Sequence, residues 1–220
     1  MKHIFIVSLA LLSLCAVAQQ KPNNEVSLDA LTTETQFSSD SPDLVEFIWW
    51  IPNEFWEASF SQDPSISASE AQEIVSLVED YTIVIALKGK IGVFGGINYE
   101  DVDHIQKEFT VTYNGTDLRL IGEKELNADT RNFISMMKPM ISNMLGPMGE
   151  NMNFFIYDNK KSPINVFEEG YIQFTLGDYE TGTELPLGSL LQEKQCSVTK
   201  KLHNGKWSYC PYHGVPLTNK

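Results

Sequence analysis

The dipeptide Asn114-Gly115, inside the stretch EFTVTYNGTDLRLI at residues 108–121, constrains this chain more than any other feature. A two-residue type I′ turn needs positive φ at both central positions, and Asn-Gly tolerates it. A turn there sets the register. Tyr113 faces Thr116, Val111 faces Leu118, and Phe109 faces Leu120. Alternation with period two then gathers Phe109, Val111, Tyr113, Leu118 and Leu120 on one apolar face. Thr110, Thr112, Asp117 and Arg119 take the other face. A lone hairpin is marginal in water, so the remaining chain must cover the apolar side.

Three other stretches read as strands. Residues 82–87 (TIVIAL) are apolar on both faces and β-branched, the pattern of a central strand. Residues 151–158 and 170–178 are two more, the second with half-buried alternation. Helices are expected around them. Ser67 and Glu70 form a capping box, and Ala71, Ile74, Val75 and Val78 follow at i, i+3, i+4 and i+7, so a helix should run to about Asp80. Ser41-Pro42 looks like an N-cap and first helical residue, with Leu44, Phe47, Ile48, Ile51 and Phe55 at helical spacing. Trp49, Trp50 and Trp56 widen that apolar arc, and Pro52 should kink or restart it. The arc reads as cover for the sheet, and its aromatic density also makes the three tryptophans a candidate binding face.

Residues 127–145 are the longest helical segment, capped by Asn127, ended by Gly146-Pro147 and split at Pro139. Met136, Met137, Met140, Met144, Met148 and Met152 lie in or just after it. Thioethers bind Cu(I), but no histidine is near in sequence, and such a stripe reads as core filler. The glycine-rich residues 88–98 match no phosphate-binding fingerprint and read as a tight connection. Residues 100–107 suit a short helix, and 185–191 a segment docked on the core. The expected fold is α+β: an antiparallel sheet of about five strands with helices packed on one face and a small C-terminal β-knuckle. The rival is a β-sandwich with inserted helices.

The chain opens like an export signal. Lys2 and His3 precede an apolar run, and Ala16-Val17-Ala18 is an A-x-A cleavage site. A lipid anchor at Cys15 is disfavoured because Leu14 is bulky where a small residue is wanted. The division expected is a signal peptide at 1–18, a disordered leader at 19–40, an α+β domain at 41–191 and a knuckle at 192–220. No stretch suits a stable membrane span. The location implied is secreted or periplasmic. The net charge of −13 repels nucleic acid and anionic lipid and identifies no partner.

Residues 195–217 read QCSVTKKLHNGKWSYCPYHGVPL. Cys210-Pro211-Tyr212-His213-Gly214 resembles the C-P-x-x-G knuckle of zinc ribbons, and Cys196-Ser197-Val198-Thr199 resembles a first knuckle without its second ligand. The resemblance covers about a tenth of the chain. It implies Cys196, Cys210 and His213 as zinc ligands, with Thr199 out of pattern and His203 as a candidate fourth. The mature chain as a whole resembles a family of exported bacterial proteins ending in such a knuckle, a likeness that assigns no activity.

The same geometry admits another use. After signal cleavage only Cys196 and Cys210 remain, fourteen positions apart. Two close thiols in an oxidising compartment form a disulfide, worth about 3 kcal/mol by loop closure. Asn204-Gly205 is a second hairpin signal that would set Leu202-His203 against Lys206-Trp207 and draw the cysteines together. On this reading the disulfide is preferred to zinc, and no other cofactor is expected.

Catalytic templates are missing: there is no G-x-S-x-G elbow and no H-E-x-x-H. His104 reads as a surface residue of the short helix, and no carboxylate pair stands out. The expectation is an exported, non-catalytic binding or structural protein with its tail stapled by Cys196–Cys210. The alternatives are a zinc-binding module and a carboxylate hydrolase.

Overall fold

Strand β3 (Tyr81–Ile91) is the spine of the fold. Residues 82–87 are buried without a break, so the strand needs a layer on each side. In the computed structural model, which describes residues 19–219, it has both. Residues 1–18, read above as a signal peptide, lie outside the described residues, Cys15 among them. One edge of β3 pairs antiparallel with β2 (Leu44–Ile51), from Leu44↔Lys90 to Ile51↔Ile83. The other edge takes β7 (Asn153–Asp158) and β4 (Ile97–Tyr99), and β1 (Gln36–Ser38) extends the sheet beyond β2. These five strands are the antiparallel sheet of an α+β fold.

The Asn-Gly hairpin belongs to a second sheet. It joins β5 (Phe109–Tyr113) to β6 (Thr116–Asp117), and β8 (Gly170–Leu176) and β9 (Tyr179–Leu185) complete the order β6-β5-β8-β9. Asn114 and Gly115 have φ of 49° and 76°, and Tyr113 pairs with Thr116 as the turn requires. The hairpin's apolar face packs with Ile172 and Phe174 onto Ile48, Trp50, Val84 and Phe155 of the first sheet. Strands expected in one sheet are therefore divided between two.

The first sheet's other face carries Trp49, Ile51, Ile83, Ile85 and Leu87. Helix α5 (Ala128–Met144) covers it through Phe133, Met137 and Ile141. Helix α2 (Asn53–Ser61) adds Trp56, and α3 (Ala68–Ser76) adds Ile74 and Val75. The layers are thus helices, central sheet and second sheet.

Five local expectations need correction. Residues 44–51 are strand, not helix: LVEFIWWI is apolar on both sides, which suits a strand buried between two layers, and the helix starts only after Pro52. Residues 19–40 are not a disordered leader. Helix α1 (Leu28–Thr35) buries Leu31 fully, and the Glu34 carboxylate accepts from the backbone N–H groups of Gly188 (3.0 Å) and Ser189 (2.8 Å). A few anchors sufficed where average polarity suggested none. Pro139 lies within α5 without dividing it. The methionine stripe is not all core, since Met137 is buried but Met136 and Met140 are exposed. The α3 capping box is present, though the helix stops at Ser76 rather than near Asp80.

Glu54, in the first turn of α2, faces a small cavity beside Trp50 and Asn159. Burial, with a smaller contribution from the like charge of Glu57, pushes its carboxyl from about 4.5 up to about 7. A raised acid pKa means that the folded state holds the proton longer than the unfolded chain. Stability therefore falls as pH rises from 4.5 through 7, by up to about 3 kcal/mol. Glu54→Gln is expected to match the wild type near pH 4.5 and to exceed it by about 2 kcal/mol at pH 8 in urea unfolding. Equal stabilities at pH 8 would show that this carboxylate is solvated.

Candidate metal centre

The tail forms a third small sheet, β11-β10-β12, from β10 (Lys194–Cys196), β11 (Leu202–His203) and β12 (Leu217–Asn219). Two turns of the same construction rise from it. In the first, Cys196 N–H donates to Lys201 O (3.0 Å), Lys200 N–H donates to Cys196 O (2.8 Å), and Lys200 has φ +61°. In the second, Cys210 N–H donates to Val215 O (2.9 Å), Gly214 N–H donates to Cys210 O (2.8 Å), and Gly214 has φ +63°. The left-handed residue sits four places after the cysteine in each. Glycine meets that demand without strain in the second turn, and Lys200 bears it in the first.

The paired turns bring their side chains together. Cys196 Sγ and Cys210 Sγ lie 3.6 Å and 3.4 Å from His213 Nδ1, and these three atoms are all within 4.8 Å of one another. His203 Nε2 lies 3.6 Å from Cys210 Sγ. Bond lengths of about 2.3 Å to sulfur and about 2.0–2.1 Å to nitrogen put tetrahedral S···N edges at about 3.5 Å. The S···N spacings among Cys196, Cys210 and His213 match those edges, and His203 approaches the group at Cys210. Both cysteines are buried and unbonded to one another.

Electrostatics favour a thiolate. The backbone N–H of Thr199, then its hydroxyl, hold the Cys196 thiol down at about 6. Thr199, the position out of pattern in the zinc-ribbon resemblance, thus serves the sulfur by hydrogen bonding. His203 is buried between two aromatic rings, with centroid distances of 5.9 Å to Trp207 and 6.1 Å to Tyr212. These ring contacts restrict the imidazole's orientation.

The Asn204-Gly205 hairpin does not form as expected. Leu202 and His203 pair with Gln195 and Lys194 of β10 instead. Gly205 is absent from the positive-φ residues, and a Cβ there would collide with Gln192 O. Glycine is needed at this point for close approach to the body, not for turn handedness. Lys206 Nζ, donating to Glu184 O (2.8 Å), ties the same corner down.

The other sequence candidates are placed differently. Trp49, Trp50 and Trp56 are buried and do not share an exposed face: Trp50 packs between the sheets, and Trp49 and Trp56 pack under the helices. His104, on helix α4 (Val102–Glu108), is exposed, but it joins a cluster the sequence reading missed. Its Nε2 lies 3.4 Å from Glu100 and 3.3 Å from Glu108, whose carboxylate also pairs with Lys88 at 2.7 Å. The spacing i, i+4, i+8 was the available signal. Lys88 already supplies the cation this cluster needs.

Compared with protein-family models, curated proteins and solved structures, the chain finds no match in any of the three.

Proposed function

We propose that this is an exported, non-catalytic binding or structural protein whose C-terminal knuckle is a zinc-holding module. Cys196, Cys210 and His213 would be the ligands, with His203 as the fourth. The observation that carries this reading is the pair of S···N distances from His213 to Cys196 and Cys210, 3.6 and 3.4 Å, at the edge length of a tetrahedral zinc site, with His203 beside Cys210 but outside that mutually close group. A second observation supports the need for a staple. Neither hydrophobic cluster includes a residue beyond Leu190, so the tail has no apolar core of its own. A segment this short needs a metal or a covalent bridge to hold its shape. Zinc here would supply folding energy rather than chemistry, since four protein ligands leave no open position.

A Cys196–Cys210 disulfide is the second reading, carried by the closeness of two buried thiols and by the export signal. One sample separates the two. Protein purified without chelator is expected to carry about one equivalent of zinc, with both thiols alkylated only after the metal is removed. Metal below about a tenth of an equivalent, with a mass two hydrogens short, would establish the disulfide and end the zinc reading.

A further inference from the structure

Charge is segregated in this chain. Residues 192–220 carry five lysines and one glutamate, whereas the other residues carry 11 basic and 28 acidic side chains. Exposed aromatics gather in the same place: Trp207 is 45% exposed, Tyr209 63% and Tyr212 72%. Trp207 and Tyr212 both lie against the buried His203, at tilted interplanar angles of 32° and 42°. Lys201 Nζ stands 5.3 Å over the Tyr212 ring, and Lys194 Nζ donates to Trp207 O (3.1 Å). Exposed aromatic rings and lysine cations are thus adjacent on this part of the tail.

We propose that this face, centred on Trp207, Tyr212 and Lys201, binds an anionic polysaccharide of the uronic-acid type. Pyranose rings present apolar C–H faces that stack on indole and phenol rings, and their carboxylates meet the lysines. The acidic body selects against denser polyanions. Duplex DNA carries a charge about every 1.7 Å and would be strongly repelled by the neighbouring carboxylates. A sugar polymer with one carboxylate per residue suffers less and gains stacking. The tail has no arginine, the residue suited to forked contacts with phosphates and base edges. The proposal rests on the zinc reading for the rigidity of His203, because a ligated imidazole keeps the two rings in place.

The test is equilibrium binding of the full mature chain to polygalacturonate, with zinc content measured on the same sample. Neutral dextran, oligo-dT and phosphatidylglycerol vesicles are run in parallel. Binding to polygalacturonate alone is expected. It should weaken in high salt, fall at least about tenfold in Lys201→Glu with zinc content unchanged, and fall likewise in Trp207→Ala. Zinc-loaded protein that ignores polygalacturonate, or that binds oligo-dT or vesicles more tightly, overturns the proposal and leaves the metal site intact. Binding that survives both substitutions also overturns it. Polysaccharide binding by a metal-free sample supports the docking face and removes the zinc reading instead. Lys201 is exposed, so its substitution keeps the test valid even where Trp207→Ala disturbs the fold.

Discussion

Cys210→Ser is expected to release the metal and unfold residues 194–219 while the body stays folded. The expected zinc content falls from about one equivalent to below about a tenth. Hydrogen exchange should show lost protection at Cys196, Lys200, Cys210 and Gly214, whose amide bonds define the two turns. Protection along β3 should be unchanged, because the two hydrophobic clusters lie wholly upstream of the tail. The effect is large because apparent zinc-binding energies of about 10–16 kcal/mol are folding energies in small metal modules. A strong chelator should reproduce the result in the wild type, and a reductant alone should not. Release by reductant and not by chelator would point to the disulfide. A tail that keeps its protection in Cys210→Ser would show that docking through Asn204, Gly205 and Lys206 suffices without a staple.

Phe174→Ala should be the most damaging substitution in the body. The ring is fully buried between the two sheets, 5.5 Å from Phe37 and 6.4 Å from Trp50 by centroid. From β8 it therefore packs on both β1 and β2, and its loss leaves a cavity that none of these paired strands can collapse into. The expected loss is about 3–5 kcal/mol in denaturant unfolding. A loss under about 1 kcal/mol would mean that the sheets do not meet at this residue. The same substitution should leave zinc content unchanged, since no tail residue belongs to that cluster.

What could be read from sequence shares one property: it depends on residues within about five positions of each other. Asn114-Gly115 sets a turn by its own φ angles, and Tyr113↔Thr116 follows. Ser67 and Glu70 satisfy each other's backbone N–H groups across one helical turn. Each cysteine turn closes within six residues, so the likeness to a pair of knuckles was visible in the residue types. The chemistry between the turns was less visible. Metal geometry depends on the separation of four side chains, and His203 reaches Cys210 only because β11 pairs with β10.

The tertiary structure alone decided the rest. Residues 44–51 fit both helical spacing and a strand apolar on both faces, and periodicity cannot choose between them. The choice fell to strand because β3 offered an edge and because helices and a second sheet were available to cover opposite faces. Leu31 and Glu34 look like scattered residues of a polar segment until a pocket and two backbone donors receive them. Local backbone preferences act through bonded neighbours and are written in the sequence. Burial needs surfaces brought from far along the chain, and only the assembled fold supplies them.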